Sequence, residues 1–504
     1  MSSSRKSSTF FTADDFKASF ALFCCVCGIG TLGMPANFAR AGPYLGVVAL
    51  VFMASANVYA SVTLSKAMLL APRSVKNYGD LGEWVMGKPG RYLVTISQVL
   101  VCLLVPCAFL VLGSLLFQVL FPSAFSQTYW IVFMAVAVFP VALVPTMKEG
   151  AGVMFAGCMG TIIADIVGIA IIMHGMSGHP APPSPDFSLH QVVTAFGNLS
   201  LAYGAAVIIP DLQREHSEPH RMPKVVFVTL SVVTCFFLTL AALGYSAAGC
   251  QISGNLLFSI AGSGSTGETS LGFIADRGAV IMAYIFMQMH LAIAFSTIIH
   301  PAFFMFERLV LGMHKKQHME IFEPELDIES LEKQSYVSQS TPSLRSGEQT
   351  PEGGNEKNVQ RQLEAIEHDD SELAEYKGTR NVLRYVLLRS GVIACLVVLA
   401  VVLRDHFLDL SDFIGASAVT LSCLILPLVF YMKLCWNKIP LYERAIALAI
   451  ILLCSVCGLY VMYYTGKSLF GATAAVTADT PVFGFCPVEH QFKPYYVKNA
   501  ATTS

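Results

Sequence analysis

The chain is short of charge. Only 13% of its 504 residues are Asp, Glu, Lys or Arg, about half of the roughly 25% usual in soluble domains. No Lys or Arg falls near the middle of any long apolar run. Net charge is -2, so no nucleic-acid partner is implied. Neither G-x-S-x-G nor H-E-x-x-H occurs, and no intramembrane acid pair stands out; the residues do not read as those of an enzyme. Met1 to Asp15 is polar and Ser/Thr-rich, without the short apolar core of a secretory signal. The first helix is therefore expected to direct its own insertion.

What is present is apolar sequence, 54% of the chain. Many runs reach the ~20 residues that a bilayer crossing needs. The reading is an all-α, multi-pass membrane protein with eleven spans: 16–38, 44–70, 93–121, 128–147, 151–175, 191–210, 224–248, 279–311, 383–403, 410–432 and 443–465. Basic residues orient them. With a cytosolic N-terminal tail (1–15), inner loops hold Arg73, Lys76, Lys88, Arg91, Lys148, Arg214, Arg221, Lys224, Lys433, Lys438 and Arg444, and outer loops hold Arg40, Arg277 and Arg404. Eleven spans put the tail 466–504 outside. Residues 312–380 are rich in Glu, Lys, Ser, Gln and Gly and do not fold alone. They read as a disordered cytosolic tether, or as a docking segment for cytosolic regulators, with Thr341-Pro342 and Thr350-Pro351 as phosphorylation candidates.

The run Gly28-Ile29-Gly30-Thr31-Leu32-Gly33-Met34-Pro35 interrupts the first span. Each Gly costs a helix about 1 kcal/mol and Pro about 3. In lipid the freed backbone must find partners inside the protein or in a wet cavity, so a mid-membrane break suggests a binding site. The alternative is that the glycines merely allow close helix packing. A weaker interruption lies in the sixth span, at Gly197, Tyr203-Gly204-Ala205-Ala206 and Pro210-Asp211. Breaks five spans apart fit two inverted five-helix halves, spans 1–5 and 6–10, with the eleventh peripheral. Without a mid-depth cation, a carboxylate ligand would meet the positive end of a half-helix. Carbonyls of the two breaks would take an ammonium. The ligand this suits is an amino acid, held by Gly28, Ile29, Gly30, Thr31, Leu32 and Gly33 with Tyr203 and Gly204; Tyr203 reads equally well as packing.

These residues resemble the amino acid/auxin permease family. Gly28 to Pro35, followed by Ala41-Gly42, is similar to its first-helix signature, G-x-G-[IT]-L-[GA]-[LM]-P. Pro210-Asp211 to Pro223-Lys224 resembles the segment after its sixth helix. Gly415-Ala416-Ser417 with Leu426-Pro427 and Tyr431-Met432-Lys433-Leu434 resembles its tenth. The resemblance spans about residues 16–465 and implies a leucine-transporter-like fold, helices 1 and 6 broken, and amino acid transport. Sodium-coupled members carry Asn where this chain has Cys24, a poor ligand for a hard cation. Ser296 and Thr297 lie near the usual ion site, but neither aligns with the Thr of sodium-coupled members. That favours a proton-coupled or an uncoupled transporter, with sodium coupling as the alternative.

Asp165, at the middle of the fifth span, and His290, deep in the eighth, are the candidate proton-coupling groups; either could instead be structural. Cys250 and Cys486 fall outside every span on the outer face, where an oxidising compartment allows them to pair. Cys24-Cys25-Val26-Cys27 lacks a His or second CxxC partner, so no metal or cofactor is expected. The function expected is secondary transport of small neutral amino acids by alternating access, with an amino-acid-sensing receptor as the rival. Plasma membrane and endolysosomal or vacuolar membrane both fit.

Overall fold

Thr12 starts the first helix. Its hydroxyl accepts the Asp15 N–H at 3.2 Å, and the Asp15 carboxylate accepts the Thr12 N–H at 2.7 Å. This reciprocal cap satisfies two orphan donors and sets α1 at Ala13–Val26, three residues before the expected start. The computed structural model describes residues 10–72, 74–144, 151–263, 266–313, 376, 378–471 and 481–497. Thr341 and Thr350, and nearly all of the expected tether, lie outside the described residues.

The ladder of α1 ends with the Cys27 N–H on the Phe23 carbonyl. A short turn, α2 (Ile29–Leu32), and α3 (Met34–Ala41) follow, and the two parts of the span are bent by 51°. Then come α4 (Pro43–Leu70), α5 (Tyr78–Met86), α6 (Lys88–Leu120), α7 (Gln127–Ala142) and α8 (Ala151–Gly175). The chain continues with α9 (Leu189–Ala202), α10 (Ile209–Glu215), α11 (Met222–Ala248) and α12 (Arg277–Phe306). It closes with α13 (Thr379–Val402), α14 (Phe407–Ile414), a π-helical stretch Gly415–Ile425, α15 (Leu426–Cys435) and α16 (Leu441–Phe470).

Among the described residues, nine helical stretches are long and apolar enough to cross a bilayer, and the bent α1–α3 pair makes a tenth. The fourth expected span appears as α7, a 16-residue helix shorter than a crossing; residues 145–147 of that span are not described. Helix α5 was not among the expected elements. Asn77 caps it, and it packs on α6 through Gly82 and Gly90. The Tyr78 hydroxyl donates to the Ser422 carbonyl at 2.7 Å, tying α5 to the π-helical stretch. Apolar side chains on α7 and α16, among them Phe133, Val136, Leu452 and Leu459, face outward, as lipid contact requires.

Two charges depart from expectation. Arg389 lies toward the start of the ninth expected span and Glu307 toward the end of the eighth, places where a charge ordinarily reaches the membrane interface. Both side chains are fully buried and paired at 2.8 Å. The Arg389 guanidinium also donates to the carbonyls of Ala142 and Val144, both at 3.0 Å, at the C-terminal end of α7. The Tyr376 hydroxyl donates to the other Glu307 oxygen at 2.7 Å. Burial and the Glu307 carboxylate push that phenol well up, so it stays a neutral donor. Helix ends that meet inside the protein thus replace the interface as the partner.

Candidate functional site

The break in the first span faces α8, α9 and α12. Cys27 is extended, with ψ 127°, and Gly28 has φ 159° and ψ -116°. Helical bonding resumes weakly with the Leu32 N–H on the Gly28 carbonyl at 3.4 Å. The amides of Gly28 to Thr31 are the first four of the new helix, which have no partner within it. The Thr31 hydroxyl donates back to the Gly28 carbonyl at 2.7 Å. Residues 28–33 are buried.

Two ionisable side chains meet this break. Asp165 on α8 is fully buried, and among the described residues neither of its carboxylate oxygens has a hydrogen-bond partner. The Thr31 and Thr161 hydroxyls lie beside the carboxyl, but outside hydrogen-bond geometry. His290 on α12 is also fully buried. Its Nδ1 meets the Gly157 carbonyl at 3.0 Å, and its Nε2 lies beside the Cys27 carbonyl. A Cβ at Gly28 would sit 2.6 Å from that Nε2; only glycine lets the imidazole approach the broken backbone.

The second break lies alongside. The α-helix stops at Ala202 and resumes, through the 3-10 turn Ala206–Ile208, at Ile209. A Cβ at Gly30 would fall 2.5 Å from the Ala202 Cα, so the two interrupted spans touch backbone to backbone. Close packing, the alternative weighed for the glycines, is therefore also present. Gly30→Val is expected to lower both thermal stability and ligand affinity, since overpacking costs about 1–3 kcal/mol; a melt of the purified protein and a binding titration check it. The Gln98 amide of α6 donates to the Val207 carbonyl at 3.0 Å, a polar fill for freed backbone.

The Tyr203 side chain packs on α11. Its hydroxyl pairs with that of Thr234 at 3.0 Å and its ring packs edge-on against Phe237, both on α11. Gly204 lies against Leu201 and Val419. Ser296 and Thr297 donate back to the carbonyls of Ala292 and Ile293 on their own helix, at 3.3 and 3.0 Å. Cys24 is buried beside Cys158.

Ion pairs close both ends. Arg40, the last basic residue of α3, donates to Asp412 of α14 at 2.6 Å, with both side chains nearly inaccessible. Below it the Asn37 amide donates to Asn198 Oδ1 at 2.9 Å. Between this pair and the break, a cavity lined in part by Ile29, Gly33, Asn198 and Asp412 measures ≈ 10 Å³, room for about one water. At the opposite end, Arg221 donates to Asp15 through Nη2 at 2.6 Å, and His216 Nε2 lies 3.1 Å from the same carboxylate. Sequence reading missed these pairs because it assigned Arg40 and Arg221 to loops. Part of the signal was there: Asp412 is a carboxylate at the head of an apolar run. The structure leaves only Gly42 between α3 and α4.

A family model described as transmembrane amino acid transporter protein matches residues 12–470. The chain belongs to that family. The resemblance carried by Gly28 to Pro35 is thereby borne out, and the family is one of transporters rather than enzymes. Amino acid transporter AVT1I of Arabidopsis thaliana is 28% identical over 248 residues, 47% of this chain and 60% of its own length. Amino acid transporter AVT1J of the same plant is 23% identical over 244 residues, 46% of this chain and 57% of its own. The matched region thus spans three fifths or less of these curated relatives. A crystal structure of MhsT in complex with L-phenylalanine is similar over 90% of this chain and 98% of its own, with TM-score 0.46 and 13% identity.

Proposed function

We propose that this transporter-family protein moves small neutral amino acids by alternating access, with a proton as the coupling ion. The reading is carried by one observation: a broken helix meets a fully buried carboxyl, Asp165, without a hydrogen-bond partner among the described residues, and a buried imidazole, His290. Burying a carboxyl without partners costs several kcal/mol; a proton relieves that cost. The amides from Gly28 to Thr31 take the substrate carboxylate, and carbonyls at the two breaks take its ammonium. The crowding of Gly30 against Ala202 favours a small side chain.

The proposed architecture is eleven spans in two five-helix halves plus one, with the N-terminus cytosolic and the C-terminal tail outside. Interruptions at Gly28 and Tyr203, at the heads of the two halves, support it. A bridge between Cys250 and Cys486 suits an extracellular or luminal compartment, in the plasma membrane or an endolysosomal or vacuolar one. The paired charges at both ends describe a closed intermediate of the cycle.

Uptake of radiolabelled amino acids into proteoliposomes, under separate pH and sodium gradients, tests the reading. Uptake driven by pH alone is expected. Drive by sodium alone would replace the proton. Saturable binding without uptake would favour the sensor.

A further inference from the structure

We infer that the C-terminal segment 481–497 is a disulfide-tied strap that holds the outer end of the transporter shut, and that Phe485 in it positions Arg40 for its pair with Asp412. The strap is anchored at one place. Cys486 is joined to Cys250, 236 residues earlier, with Cα atoms 5.2 Å apart. The neighbouring Gln251 is fully buried. Its amide donates to the carbonyls of His490 and Lys493, both at 2.8 Å, and its oxygen accepts the Tyr495 N–H at 2.9 Å. The Tyr495 hydroxyl donates to the Ala247 carbonyl at 2.9 Å. Burial and the neighbouring Tyr496 push that phenol up to about 12, so it remains a neutral donor. The Tyr496 hydroxyl reaches the Ser177 carbonyl at 3.0 Å.

From this anchor at the end of α11 the segment crosses to the end of α3. Phe483 and Cys486 are buried, and the ring of Phe485 stands over the Arg40 guanidinium, 5.2 Å from its Cζ. The Arg40 Nη1 holds Asp412, while Nε has no partner among the described residues. An aromatic face satisfies a guanidinium without offering it a rival carboxylate. It also shields the pair from water, which strengthens the attraction. Tied by the bridge, the ring acts on Arg40 as an intramolecular partner at high effective concentration. Phe485 is a positioning residue: it does not face the ≈ 10 Å³ cavity but fixes the charge that closes it.

This inference rests on alternating access, not on the coupling ion. It is tested with purified full-length protein in detergent carrying Ser411→Cys as a reporter. Ser411 is buried and lines the cavity beneath the pair. Reaction with a soluble maleimide, above the background of the parent cysteines, is expected to be slow in the reporter alone. Phe485→Ala and Phe485→Leu should each raise the rate roughly fivefold or more, and Phe485→Trp should keep it near the starting value. Cys250→Ser/Cys486→Ser should raise it too, without touching Arg40. Peptide mapping of the bridge shows that the Phe485 variants are folded. An unchanged rate in the double serine variant, or in Phe485→Leu, overturns the inference. Labelling needs no transport, so the two readings fail separately: failed uptake with the expected labelling pattern counts against transport, and leaves only the hold of Phe485 on Arg40 at this end.

Discussion

Asp165→Asn is expected to abolish uptake driven by a pH gradient while leaving amino acid exchange measurable. The substitution keeps the shape of a protonated carboxyl but cannot release a proton. Asp165 is fully buried against Thr31 and Thr161, so a neutral amide meets no new clash. Exchange requires only that the loaded protein turn over, and the bare amides of residues 28–31 remain. Exchange by the variant should also lose its dependence on pH. The assay is paired uptake and counterflow in proteoliposomes. If pH drive persists, the proton sits elsewhere, and His290→Gln becomes decisive, because a glutamine amide can still donate to the Gly157 carbonyl that His290 Nδ1 meets.

Arg389→Leu is expected to destabilise the fold by about 3–5 kcal/mol, the usual cost of stranding one half of a buried ion pair. Glu307 would be left fully buried without its guanidinium, though the Tyr376 hydroxyl still donates to it. The carbonyls of Ala142 and Val144 would lose their donor as well. Leu at both positions should recover most of the loss, since apolar replacement of a whole buried pair is often neutral. Melting of the two single variants and the double variant in detergent forms the cycle. A double variant as unstable as the sum of the singles would show that the pair contributes nothing as a pair.

Much of the scaffold was legible because membrane spans declare themselves by length and apolarity. The break was legible because three glycines and a proline within eight residues cannot hold a continuous helix. Asp165 and His290 stood out by depth alone, and the structure brings both against that break. Less was legible where a residue's meaning depends on a partner far along the chain. Arg40 and Asp412 are 372 positions apart, and Arg389 and Glu307 are 82 apart. A charge at a helix end looks the same whether it reaches water or another helix. Tyr203 shows the same limit: its position beside a break was readable, but not that its side chain turns to Thr234. Cys250 and Cys486 were readable as a pair because each stood alone outside the spans.

The wide-wound stretch from Gly415 to Ile425 has a consequence for how the molecule can change shape. Its hydrogen bonds reach five residues back, and the Thr420 hydroxyl reinforces one of them, at 2.7 Å to the Gly415 carbonyl. Such a coil carries slack: tightening to ordinary pitch would twist one end about its own axis while keeping the rod intact. Asp412 rides on the upper end, and Tyr78 grips the lower portion at Ser422. Taking up that slack would swing the carboxylate off Arg40 with no flexible joint required.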